Sequence, residues 1–178
     1  MLSQDEKGRT KLYLAAFYNR IEEAKKMMKE ANNINIVSEL VNKVDNNGWT
    51  PLYWASYYGR HQMAELLLNN GAEIDKASND GWTPLIGASL GGHLEVVKLL
   101  IKNGAEIDKA DNDGWTPLMW ASLNGHLEVV NLLIEHQADV HLKTNRGATA
   151  LDIARNEREN GARGKTAIEK ALRKAGAT

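Results

Sequence analysis

From His93 the chain reads "HLEVVKLLIKN", and its polar residues Glu95, Lys98 and Lys102 fall at i, i+3 and i+7. That spacing draws one narrow polar stripe along a helix that is otherwise apolar. Glu128, Asn131 and Glu135 draw the same stripe further on, and Gln62, Glu65 and Asn69 draw it further back. Each of these helices is therefore expected to be nearly surrounded by others. A shorter element precedes each one. Thr50, Thr83 and Thr116 can cap it, and Pro51, Pro84 and Pro117 stand at its first position, where a missing N–H costs nothing. Gly59, Gly92 and Gly125 follow about two turns later and suit a left-handed helix end. Gly71 and Gly104 end the second helix, and Asn-Asn-Gly or Asn-Asp-Gly then supplies a tight turn before the next unit.

The pattern repeats with a fixed period. Gly48, Gly81, Gly114 and Gly147 are each 33 residues apart. The unit 48–80 matches 81–113 at 20 of 33 positions, and that unit matches 114–146 at 19 of 33. A period of this size is the mark of a solenoid, whose units bury their apolar faces against their neighbours. The "G-x-TPL-x-x-A" opening, the "GHLEVVKLLI" second helix and the "NGAEID" exit closely resemble the ankyrin repeat family. The resemblance implies an all-α solenoid of stacked antiparallel helix pairs with projecting β-hairpin-like loops. It covers residues 8–178 when the two ends are counted as modified repeats.

On that basis the chain is one domain, 1–178. It divides into an N-terminal repeat (8–47), three internal repeats (48–80, 81–113, 114–146) and a C-terminal capping repeat (147–178). Both ends depart from the period. Thr10 to Thr50 is 40 residues, so seven extra fall within roughly Glu30–Val44, and six extra lie near Asn156–Lys165. End units lack one neighbour and need a polar outer face, so plain capping is the expected role. The charged last helix, with Glu169, Lys170, Arg173 and Lys174, fits a cap.

The family's usual histidine after "TPL", which helps hold the turn, is replaced by Tyr53, Ile86 and Met119. Apolar packing is expected to make up the difference. Beside them stand Trp54, Gly87 and Trp120, a large, small, large series in which two indoles are expected to share space over a glycine.

Composition narrows the chemistry. The chain has 178 residues, a net charge of −1 and no cysteine, which excludes disulfides and thiolate chemistry. The near-zero charge gives no reason to expect nucleic acid, and no apolar run approaches the ~20 residues of a membrane span. Units 48–80, 81–113 and 114–146 carry −2, −2 and −1, while 147–178 carries +3. His93 and His126 hold a helix-start place that the resemblance makes structural, and His136 and His141 lack a third ligand at recognisable spacing. Glu106, Asp108, Asp111 and Asp113 lack the calcium-loop pattern and read as solvated turn residues. Arg155, Arg158, Arg163 and Lys165, interleaved with Glu157 and Glu159, read as a solvated loop. No nucleophile elbow or phosphate loop is present. The chain is therefore read as a non-enzyme, with no cofactor and no metal.

What remains is surface. In the family, the hairpin tips and the exposed flank of the first helices form a concave strip that holds a protein partner. Carried onto this chain, the tips are Asn46, Asn47, Trp49, Asn79, Asp80, Trp82, Asn112, Asp113 and Trp115. The first-helix ends are Tyr57, Tyr58, Leu90, Leu123 and Asn124, with Phe17 and Tyr18 in the first unit. Trp49, Trp82 and Trp115 recur identically, which favours a packing role. Tyr57, Tyr58, Leu90 and Leu123 vary between units, which favours recognition. The expected function is non-catalytic protein–protein interaction through this face by a monomeric, cytoplasmic chain. The alternatives are a stoichiometric inhibitor or regulator of one enzyme or cytoskeletal protein, and an engineered ankyrin scaffold.

Overall fold

The computed structural model describes residues 3–33, 35–156 and 163–178. Its helices are α1 (Lys11–Phe17), α2 (Ile21–Asn33), α3 (Val37–Asn42), α4 (Pro51–Tyr57), α5 (His61–Asn69) and α6 (Pro84–Gly91). They continue as α7 (Leu94–Lys102), α8 (Pro117–Leu123), α9 (Leu127–Glu135), α10 (Ala150–Asn156) and α11 (Arg163–Lys174). The first helices α1, α4, α6, α8 and α10 pack side by side in one row. Each is paired with the helix behind it: α2, α5, α7, α9 or α11. This is the stacked arrangement that the period predicts.

The caps explain why each first helix starts where it does. The hydroxyls of Thr10, Thr50, Thr83 and Thr116 accept from the N–H three residues on, at 3.1, 3.0, 3.2 and 3.3 Å. Prolines follow at the first helical turn in α4, α6 and α8. The core lies between the two rows. The leucine of each "TPL" and its counterparts, Leu12, Leu52, Leu85, Leu118 and Leu151, are at most 1% exposed. Facing them are Met63, Ala64 and Leu67, then Val96, Val97 and Leu100, then Val129, Val130 and Leu133. The polar stripe of the second helices is solvent-facing as expected, with Glu95, Lys98 and Lys102 exposed.

The N-terminal insertion has a structural use. It follows a longer α2, of 13 residues against nine in α5, and builds α3, whose Leu40 and Val41 are fully buried. Asn42, near the end of α3, accepts from the Glu73 N–H at 2.7 Å and donates to the Gly71 carbonyl at 2.9 Å. Asp75 and Asp108 make the equivalent tie to the next unit, accepting from the N–H groups of Glu106 and Asp139. The C-terminal insertion falls largely on 157–162, outside the described residues, as do Arg158, Glu157 and Glu159.

The last helix differs from expectation at one place. Lys170, Arg173 and Lys174 are exposed, but Glu169 is only 8% exposed. Its carboxylate accepts from Arg155 at 3.4 Å and Arg173 at 3.3 Å. A carboxylate at that depth needs cations, so Arg155 serves the cap rather than a solvated loop.

Candidate functional site

The loops between units set the geometry of the face. In each, a backbone pair closes the hairpin, as Asp45 N–H to Trp49 carbonyl at 3.1 Å and Ser78 N–H to Trp82 carbonyl at 3.0 Å. Gly48 has a φ of +81°, and a Cβ there would stand 2.6 Å from Asn79 Oδ1. Only glycine allows the next loop to approach so closely. The approach is used. The side-chain amides of Asn46, Asn79, Asn112 and Asn145 each donate to a carbonyl of the loop before, at 3.1, 3.3, 3.0 and 2.9 Å. These amides are committed to the frame, so Asn46, Asn79 and Asn112 are not free recognition residues. Asn47, Asp80 and Asp113 remain exposed at the tips.

The missing histidine is replaced by something other than apolar packing. The Asp45 carboxylate accepts from the N–H groups of Asn47 and Trp49, and that of Asp111 from Asp113 and Trp115. Ser78 Oγ accepts from the Trp82 N–H at 3.2 Å. Asp111 is therefore 8% exposed and holds its turn. Asp108 ties two units. Neither is a solvated turn residue. Burial pushes the Asp75 and Asp108 carboxyls above the usual range, against the opposing pull of the N–H groups they accept from.

One of these carboxylates also holds an indole. Asp111 Oδ2 accepts from Trp120 Nε1 at 3.1 Å. At the equivalent place one repeat pair earlier, Asp45 Oδ2 accepts from the Tyr13 hydroxyl at 2.9 Å. The Trp54 indole N–H is then buried without a partner among the described residues. In the unit between, the indole position is Gly87 and the carboxylate position is Ser78. Asp with Trp, Ser with Gly, Asp with Trp recur nine residues apart, but the carboxylate takes the indole N–H only at Asp111 and Trp120. The indoles do not share space over the glycine. What stands 3.0 Å from a Cβ at Gly87 is Cε2 of Tyr53. Trp54 turns toward Phe17 and Trp49, and Trp120 toward Trp82 and Trp115.

Ring contacts join all five tryptophans, all five tyrosines and the one phenylalanine into a single network. Phe17 lies 5.0 Å from Tyr18 and 5.3 Å from Tyr58, and Trp54 stacks on Tyr58 at 5.8 Å. Trp49 reaches Trp82 at 6.3 Å, and Trp82 reaches Trp120 at 4.7 Å. Among the described residues, Tyr18 and Tyr58 are the two large apolar side chains that stand exposed, at 57% and 37%. A concavity of about 460 Å³ is lined by Trp49, Tyr53, Trp54, Tyr57, Tyr58, Asp80, Trp82 and Leu90. A second, of about 340 Å³, shares Trp82 and adds Trp115, Trp120, Asp111 and Asp113.

Of the residues singled out by sequence, Trp49, Tyr57, Tyr58, Trp82 and Leu90 converge on one groove, with Phe17 and Tyr18 beside it through ring contacts. Trp115 lies in the neighbouring concavity. Leu123 and Asn124 line neither. Leu123 packs on the core, and the Asn124 amide donates to the Trp120 carbonyl at 2.9 Å. His93 and His126 hold the frame. Their Nε2 atoms lie 2.9 Å from the Tyr57 carbonyl and 3.0 Å from the Leu90 carbonyl. Desolvation lowers the His93 pKa. Among the described residues, no group of three or more His, Asp or Glu is placed to hold a metal ion, and no helix is long and apolar enough to cross a membrane.

Three copies of the ankyrin-repeats family model match the chain, over residues 1–78, 74–144 and 108–174. The chain belongs to the ankyrin repeat family. Repeats of this family generally mediate protein–protein interaction, and the family is typically non-catalytic.

Proposed function

We propose that this chain is a non-catalytic recognition module that holds one protein partner along the concave face, as a monomer built of a single repeat array. The observation that carries this is the groove where five repeat-derived positions, Trp49, Tyr57, Tyr58, Trp82 and Leu90, come together beside the exposed Tyr18. Exposed aromatic clusters mark interaction sites, and aromatic residues supply most binding hot spots. The remaining candidates have graded roles. Phe17 supports Tyr18 and Tyr58, Trp115 extends the face, and Leu123 and Asn124 belong to its far end.

The test is affinity capture with wild type and with Tyr57→Ala/Tyr58→Ala/Leu90→Ala, after circular dichroism shows both folded. A partner retained by wild type and lost by the variant supports the reading. A partner retained by both moves the site off the groove and overturns it. Stoichiometric loss of that partner's own enzymatic activity on binding would make the chain an inhibitor rather than a scaffold.

A further inference from the structure

The groove has a chemical preference that the recognition reading does not itself specify. Seven of its eight lining residues bear on this: six aromatic rings and one carboxylate, Asp80, with Leu90 the aliphatic exception. Among the described residues, no hydrogen bond or ion pair engages the Asp80 carboxylate. A purely apolar occupant would cover that carboxylate and strip its water without replacing the lost interactions, which costs free energy. A cation removes the conflict. It is attracted to ring faces, most strongly to those of tryptophan, and it pairs with the carboxylate.

The protein already makes this kind of contact at the edge of the same network. The Arg60 guanidinium lies 6.0 Å from the Tyr58 ring centroid, and that of Arg20 lies 5.3 Å from Tyr18. Arg60 does not line the groove, and among the described residues its lining holds no cation. The wider field is mildly acidic, since the three internal units carry −2, −2 and −1, while in the second concavity Asp113 is accompanied by Arg146.

We propose that the side chain seated in the groove is the positively charged end of a lysine or arginine on a protein partner, held by the tryptophans and tyrosines and paired with Asp80. This rests on the recognition reading above and names the chemistry of that site's occupant.

The test uses the full chain and two matched probe pairs. Choline chloride is compared with its neutral isostere 3,3-dimethylbutan-1-ol. A five-residue Gly/Ser peptide with a central arginine is compared with its citrulline counterpart. The readout is the indole N–H signals in a proton–nitrogen correlation spectrum, assigned by single Trp→Phe variants. Both cations should shift Trp49, Trp54 and Trp82 saturably and bind about three- to thirtyfold more tightly than the neutral partners, the range that cation–π attraction supplies. Asp80→Asn should weaken choline by about two- to fivefold, leave the alcohol unchanged and leave the melting temperature in place. Equal affinity of cation and isostere would overturn the proposal and make the groove simply apolar. Saturable binding by neither would overturn it too. If capture of a partner still depended on Tyr57, Tyr58 and Leu90 in either case, the recognition reading would stand without this one.

Discussion

Two concavities on this molecule are framed by the same phrase, Gly-Trp-Thr-Pro-Leu, and differ in nearly everything else. In the first, Trp54 is surrounded by Tyr13, Phe17, Trp49, Tyr53, Tyr57 and Tyr58, and its N–H has no partner among the described residues. In the second, Trp120 meets only Trp82 and Trp115, and its N–H is held by Asp111. The first indole is fixed by apolar contact and the second by a charged hydrogen bond. The frame is repeated, and the positions immediately after "TPL" decide what each frame contains.

That contrast can be broken from either side. Trp54→Ala should cost the most, about 3–5 kcal/mol, because six rings lose a common partner. Chemical denaturation should show a clearly smaller loss for Trp120→Ala. Next comes Asp111→Ala, which removes the acceptor for two loop N–H groups and one indole at once. It should cost about 1.5–3 kcal/mol, and a double-mutant cycle with Trp120→Phe should reveal coupling between the two. If the cycle shows the two changes to be additive, the carboxylate does not position the indole.

Gly87→Trp would place an indole at the position where Trp54 and Trp120 stand in the neighbouring units. With the Tyr53 ring already 3.0 Å from the Cβ position, the midpoint should fall by the equivalent of about 1–3 kcal/mol. A variant as stable as wild type would mean that the ring can move aside.

A smaller effect depends on pH. The folded pKa of His93 is below its ordinary 6.5, mainly through burial. The unfolded chain therefore binds the proton more readily, so stability is full above about pH 6.5 and declines as pH falls through the lowered folded value. His93→Gln should flatten that decline, which thermal melts from pH 7.5 to pH 5 would show. The smallest change should come from Ser89→Ala, within about 0.5 kcal/mol. The Ser89 hydroxyl is buried without a partner among the described residues, and the first unit already carries Ala16 there.

The parts of the fold that were legible in the sequence are those written in every unit. Thr83, Pro84 and Leu85 announced cap, first turn and core, and Gly81 announced the loop, because each acts on its immediate neighbours. The aromatic groove was only half legible. Trp49, Tyr57, Tyr58, Trp82 and Leu90 were found, but Leu123 was grouped with them by register although its side chain packs inward. The role of Asp45 and Asp111 was missed, since a carboxylate near a turn looks the same whether it faces water or its own backbone. Gly87 was misread for a related reason. Its neighbour across the stack is Tyr53, one position from the residue that register pairs with it, and the offset between stacked helices is set by packing.

The asparagine row has a mechanical consequence. Each amide hooks the loop before it, so the loops are joined like links under load, every hook facing the same way along the chain. Glu6 occupies the hook position of the first loop and has no amide to offer. The link between the loops that carry Trp49 and Trp82 is Asn79 on the Asn46 carbonyl at 3.3 Å, with the Asn79 N–H on the Asn47 carbonyl beside it at 3.0 Å. A partner seated in the groove would span both loops and act as a clasp across that joint.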